Sequence, residues 1–249
     1  MIAGGCDADC HRRRFRTKLI AMGMCGYDRV IVEPSGIYDV DEFFDVLRDD
    51  PIDRWYEIGN VITVVDAKLE EGLSDEADYL LASEAANAGC IVLSRSQEAS
   101  EKEIENTVSH LNAAMEKVQC KRRFKDEIVV KDWTAFDEAD YETFLSCGYV
   151  PENYRKMHIE EGETFKSLYF MNLDKTKDEI TEAAKKVLED GECGKVFRVK
   201  GFLKDKEEKW LELNATHQEI RTAPIPEGQE VVIVIGEEMN EAKIRGYFS

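Results

Sequence analysis

The chain has 249 residues and a formal net charge of −19, with 34% charged and 43% hydrophobic residues. That length holds one large or two ordinary domains, and the apolar content suffices for a core. The acidic balance argues against nucleic acid or an anionic membrane surface as the main partner, because both select a basic face. No apolar stretch approaches the ~20 residues of a membrane span. The start lacks a secretory signal's charged and apolar regions, and seven scattered cysteines do not suggest a disulfide framework. The expectation is a reduced, cytoplasmic protein whose acidic runs are mostly solvated helix faces.

The first segment, Gly4-Gly5-Cys6-Asp7-Ala8-Asp9-Cys10-His11, gathers two thiols, two carboxylates and an imidazole. Such donors suit zinc and similar borderline ions, while a frayed terminus with free thiols explains the same residues. Phe15, Leu19 and Met22 then give one apolar helix face, ended by Gly23 and Gly26. Arg29-Val30-Ile31-Val32-Glu33-Pro34-Ser35-Gly36 follows. Its β-branched run predicts a buried strand of a parallel sheet. Nucleotide-binding α/β proteins place their chemistry at the carboxyl ends of such strands. Glu33 is placed to reach a metal there, and Gly36 to bring its N–H against a phosphate; an ordinary Pro-Ser-Gly turn is the other reading.

An amphipathic stretch through Phe44, Leu47 and Trp55 is predicted as two short helices broken at Asp50-Pro51. Asn60–Ala67 predicts a second strand, ending at Asp66, and Ser74 caps the next helix. Cys90–Leu93 predicts a third strand, opening into Ser94-Arg95-Ser96-Gln97. Ile104, Val108, Leu111, Met115 and Val118 mark a long helix, and Glu127–Val130 a fourth short strand. Alternation of strands and helices implies a mostly parallel sheet over residues 1–150. From Asp132 to Gly162 the pattern loosens, with a linker expected at 151–163. Residues 164–249 predict a small α+β domain with an antiparallel sheet: strand Phe165–Met171, helix Lys175–Leu188, strands Lys195–Leu203, Lys209–Ala215 and Glu230–Ile235, and a short final helix. Pro224 and Pro226 predict a turn, and Gly201 a bulge or close backbone approach.

Four landmarks carry a resemblance. Glu33-Pro34-Ser35-Gly36 after an apolar strand resembles the Glu-x-Ser-Gly motif of the CobW-type P-loop GTPases. Val64-Val65-Asp66-Ala67 resembles that family's next strand. Ser94-Arg95-Ser96-Gln97 sits where the family carries its Asn-Lys-x-Asp guanine motif, and Lys195–Leu203 resembles the opening of its C-terminal domain. The resemblance spans about residues 5 to 248. It implies a partial P-loop NTPase-like sheet, with GTP and Mg²⁺ as cofactors of an intact relative. It also implies delivery of a metal such as Zn²⁺ or Co²⁺, or of a metal-bearing cofactor such as cobalamin, to a client protein or cofactor enzyme.

By that resemblance Glu33 would hold Mg²⁺ through water and Gly36 would contact the terminal phosphate. Ser35, Ser94, Arg95 and Gln97 would line the nucleotide, and Cys6 and Cys10 would hold the cargo metal. Residues 37–41 would form a switch loop. The departures are definite. No Gly-Lys-Ser or Gly-Lys-Thr occurs in the sequence, so the first strand and the phosphate loop are not represented. Ala8 and Asp9 stand where later cysteines of the Gly-Cys-x-Cys-Cys motif would be. Gln97 replaces the aspartate that accepts both donors of a guanine edge. Two readings stay open: a GTPase and metallochaperone without its phosphate loop, and a non-catalytic acidic adaptor on the same scaffold.

Overall fold

The computed structural model describes residues 8–34, 40–125, 127–156, 165–171, 173, 175–205 and 207–249; the side chains of 8–11, 41, 42 and 165 fall outside that description. The chain divides into two compact units, Met1–Ile159 and Glu160–Ser249.

The first unit opens with three helices: α1 (Ala8–Met24), α2 (Val40–Leu47) and α3 (Ile52–Trp55). Leu19, Val46 and Ile52 bury one another, with Phe15 and Tyr56 packed around them. The Tyr56 hydroxyl donates to the Leu19 carbonyl at 2.7 Å, which ties the end of α3 to α1. The arginines at the start of α1 have carboxylate partners: Arg12 lies 3.4 Å and Arg16 3.8 Å from Asp49. Because α1 begins at Ala8, both arginines stand beyond its first turn, where the helix dipole would disfavour a cation.

Three strands follow, β1 (Ile62–Asp66), β2 (Cys90–Ser94) and β3 (Ile128–Val129), in the order β1-β2-β3 and all parallel. Helices α4 (Asp75–Ala86) and α5 (Glu101–Lys117) form the crossovers. The Ser74 hydroxyl accepts from the Ala77 N–H, capping α4, and Ser100 with Glu103 makes a full capping box on α5. Thr63, Val65, Ile91 and Leu93 are buried on one face of this sheet, together with Leu111 and Met115 of α5. Ile62 and Val64, pointing the other way by the strand's period of two, are exposed.

One expectation fails here. Arg29–Glu33 forms no strand, and Ile31 is 89% exposed. A strand needs a partner for its N–H and C=O groups. Among the described residues β1 has a neighbour on one side only, and that neighbour is β2. The loosened stretch after Asp132 also holds a helix, α6 (Glu138–Ser146), started by an Asp137–Asp140 capping box. It buries none of its residues. Instead Phe136, Tyr141 and Phe144 stack edge-on with one another.

The second unit is an antiparallel five-stranded sheet, β4 (Phe165–Met171), β5 (Lys195–Lys204), β6 (Trp210–Ala215), β7 (Ile220–Pro224) and β8 (Val231–Glu237), in the order β4-β8-β5-β6-β7. Helices α7 (Lys177–Glu189) and α8 (Glu241–Phe248) complete it. Ile180, Ala184, Val187, Val199, Leu213, Val232, Val234 and Ile244 form its core. Pro224, expected in a turn, ends β7 instead. β7 is an edge strand, where a missing N–H costs no ladder bond. The bulge lies between Val196 and Arg198 rather than at Gly201. A Cβ on Gly201 would sit 3.4 Å from Leu213 Cβ and 3.5 Å from Val232 Cγ2, ordinary contact distances to side chains, so the expected close backbone approach is not found there either.

Candidate functional site

Polar groups gather where β1 and β2 end side by side. The register sets Asp66 opposite Ser94. Asp66 Oδ1 accepts the Lys68 N–H at 2.9 Å, and Oδ2 accepts Arg95 Nη1, also at 2.9 Å. Arg95 Nε reaches Glu98 Oε2 at 3.5 Å. The arginine occupies the left-handed region, φ +59°, a conformation that costs a non-glycine residue about 1 kcal/mol or more. Its ion pairs to two carboxylates offset that cost. The Ser94 carbonyl accepts the Ala67 N–H at 2.9 Å, and the Ser94 hydroxyl donates to the Val65 carbonyl at 3.3 Å.

Thr107 locks this edge from α5. Its hydroxyl donates to the Ala67 carbonyl at 2.9 Å and accepts the Leu69 N–H at 3.3 Å. The sequence reading left Thr107 out, although a hydroxyl between Ile104 and Leu111 on an apolar stripe was a usable signal. Glu98 was missed as well. Gln97 is exposed within the 3₁₀ turn Ser96–Glu98. Ser96 Oγ is buried and has no hydrogen-bond partner among the described residues.

The sequence-predicted residues therefore separate into groups. Ser94, Arg95 and Gln97 lie on one short segment at the carboxyl edge, joined to Asp66. Glu33 is exposed and forms no hydrogen bond or ion pair with the described residues. Ser35 and Gly36 lie outside the described residues, as does Cys6. Cys10 falls within α1, but its side chain is outside the description. No group of three metal-ligating side chains occurs among the described residues.

A triphosphate with Mg²⁺ does not fit the described residues. The Asp66 carboxylate is already occupied by a guanidinium and a backbone N–H. The sequence spells no Gly-Lys-Ser or Gly-Lys-Thr that could supply a phosphate cradle and its lysine. Gln97 offers a single acceptor oxygen where a guanine edge presents two donors.

Three parallel strands with helical crossovers make the first unit an α/β sheet of the kind whose ligands bind at the carboxyl ends of the strands. Within that class, the CobW/HypB/UreG nucleotide-binding domain family matches residues 1–125, and the chain belongs to that family. No curated protein matches it. Among solved structures it is similar to the Zn(II)-bound YjiA GTPase from E. coli, at 17% identity and a TM-score of 0.37, covering 98% of this chain and 77% of that one. A Zn(II)-bound triple mutant of YjiA GTPase is similar at 16% identity and a TM-score of 0.34, with 95% and 76% covered.

Proposed function

We propose that this chain is a cytoplasmic, metal-handling member of its family that presents a cargo ion to a client protein or cofactor enzyme and, as these 249 residues, holds no GTP tightly. The observation that carries this reading is the family match over residues 1–125 combined with a sequence that spells no Gly-Lys-Ser or Gly-Lys-Thr. Cys6 and Cys10 are the proposed cargo ligands, since thiolates suit Zn²⁺ and Co²⁺. Glu33, Ser35 and Gly36 are the retained half of a phosphate and Mg²⁺ site, and Ser94, Arg95 and Gln97 the base-facing segment. The guanidinium bridge to Asp66, with Gln97 in place of an aspartate, favours the second reading of an adaptor that has lost hydrolysis.

Cobalt titration of the reduced chain tests the cargo site. Thiolate-to-cobalt charge-transfer absorption is expected, weakening as pH falls because the thiols must lose their protons to bind. It should vanish in Cys6→Ser and in Cys10→Ser. A spectrum unchanged in both variants would leave these residues as free thiols and remove the metal role.

A further inference from the structure

The sheet of the second unit has two edges, and they are built differently. β7, at one edge, is blunted: it has five residues, carries Arg221 and ends in Pro224, which has no N–H to offer a new neighbour. β4, at the other edge, pairs with β8 alone among the described residues. It runs for seven residues, Phe165–Met171, in unbroken register, with no proline and with Lys166 as its one charged residue. Tyr169 and Met171 are 59% and 53% exposed, on the face opposite to buried Phe170. Soluble proteins avoid a long, straight, apolar edge of this kind, because its outward N–H and C=O groups template a further strand.

We propose that β4 pairs with β4 of a second copy of this chain, antiparallel across a two-fold axis, so that two five-stranded sheets become one. The strand's own sequence favours that occupant. Pairing over all seven residues centres the axis on Leu168. Ser167 then faces Tyr169 of the second copy, and Lys166 faces Phe170, so no like charges meet. The two tyrosines fall on one diagonal of the pair, with backbones about 7–8 Å apart, within reach of aromatic side chains. The apolar surface they extend is continuous. Tyr169 lies beside Ile233, and Met171 beside Val231, which neighbours Phe202 in turn.

The arrangement also closes. A two-fold axis uses the same edge of both copies, and only the blunted β7 edges remain at the two ends of the joined sheet. Seven residues span about 24 Å at roughly 3.4 Å each. That length makes a contact at the small end of specific interfaces, under about 1,200 Å², and therefore a reversible dimer. The pairing involves only the second unit and rests on neither the nucleotide nor the metal reading.

Sedimentation equilibrium of the full chain tests it, with a reductant and EDTA present to exclude disulfide and metal bridges. The average mass should rise from 28.5 kDa toward twice that value as concentration increases from about 1 to 200 µM. Ser167→Lys with Tyr169→Lys sets lysine against lysine twice across the axis, and should weaken the dimer at least about tenfold. Ser167→Glu with Tyr169→Lys sets opposite charges there instead. That variant should dimerise at least about tenfold more tightly than the double-lysine one. Thermal melting of each variant beside the unaltered chain checks that the fold is kept. A chain that stays monomeric at every concentration would overturn the pairing. So would a dimer that the double-lysine change leaves intact, or one that the opposite-charge variant does not strengthen over the double-lysine one.

Discussion

Glu84, on α4, bears no ion-pair partner among the described residues and is half-buried. Burial raises its pKa from the ordinary 4.5 to about 8. The folded chain therefore holds this proton more tightly than the unfolded chain. The side chain is neutral in both states below about pH 4.5, and stability falls as pH rises from there toward 8. Glu84→Gln should leave the melting temperature unchanged at pH 4 and raise it at pH 8, by an amount on the order of 2–4 kcal/mol in stability. Equal melting of the two proteins at pH 8 would show that the carboxyl is solvated. Gly89 makes a different residue-scale case. A Cβ there would collide with the backbone carbonyls of Cys147 and Gly148, which lie against the amino end of β1. Gly89→Ala should cost roughly 1–3 kcal/mol in urea denaturation. A smaller loss would mean that the 147–148 turn moves aside.

Elements were legible where their sequence carried its own stop signals or a long period. Helix α5 is the clearest, with Ser100 and Glu103 reciprocally bonded at its start and Leu111 and Met115 buried. Ser100→Ala should lower stability by about 1 kcal/mol in chemical denaturation, leaving cobalt binding unchanged. The segment Arg29–Glu33 was misread for a physical reason. β-branched composition states that a segment suits a sheet, but pairing depends on a neighbour that the segment's own residues do not reveal. Helix α6 was missed for the opposite reason. Its acidic, aromatic sequence has no core-facing stripe, and its order comes from the Asp137–Asp140 cap and rings that contact one another. The candidate site shows the same division. Asp66 and Ser94–Gln97 were readable as strand ends, whereas the Arg95 bridge to Asp66 and the Thr107 lock depend on which strand ends lie side by side.

At the scale of the whole molecule, two units of different construction share one acidic chain. The first is a parallel, family-defining unit whose carboxyl edge is closed by its own side chains. The second is an antiparallel sheet with a single apolar core and two helices. No described helix is long and apolar enough to cross a membrane. The family match assigns the first unit to a nucleotide-binding family, while the described residues at its strand ends include no glycine-rich loop with a Gly-Lys-Ser or Gly-Lys-Thr. A phosphate loop acts in both binding and turnover, so a chain without that motif should show it in affinity alone. Isothermal calorimetry of GTP with Mg²⁺ against this chain is the most direct measurement. The account predicts no binding tighter than about the micromolar range, roughly −8 kcal/mol. Submicromolar binding that is weakened by Glu33→Gln would contradict it and show a complete nucleotide site within these 249 residues.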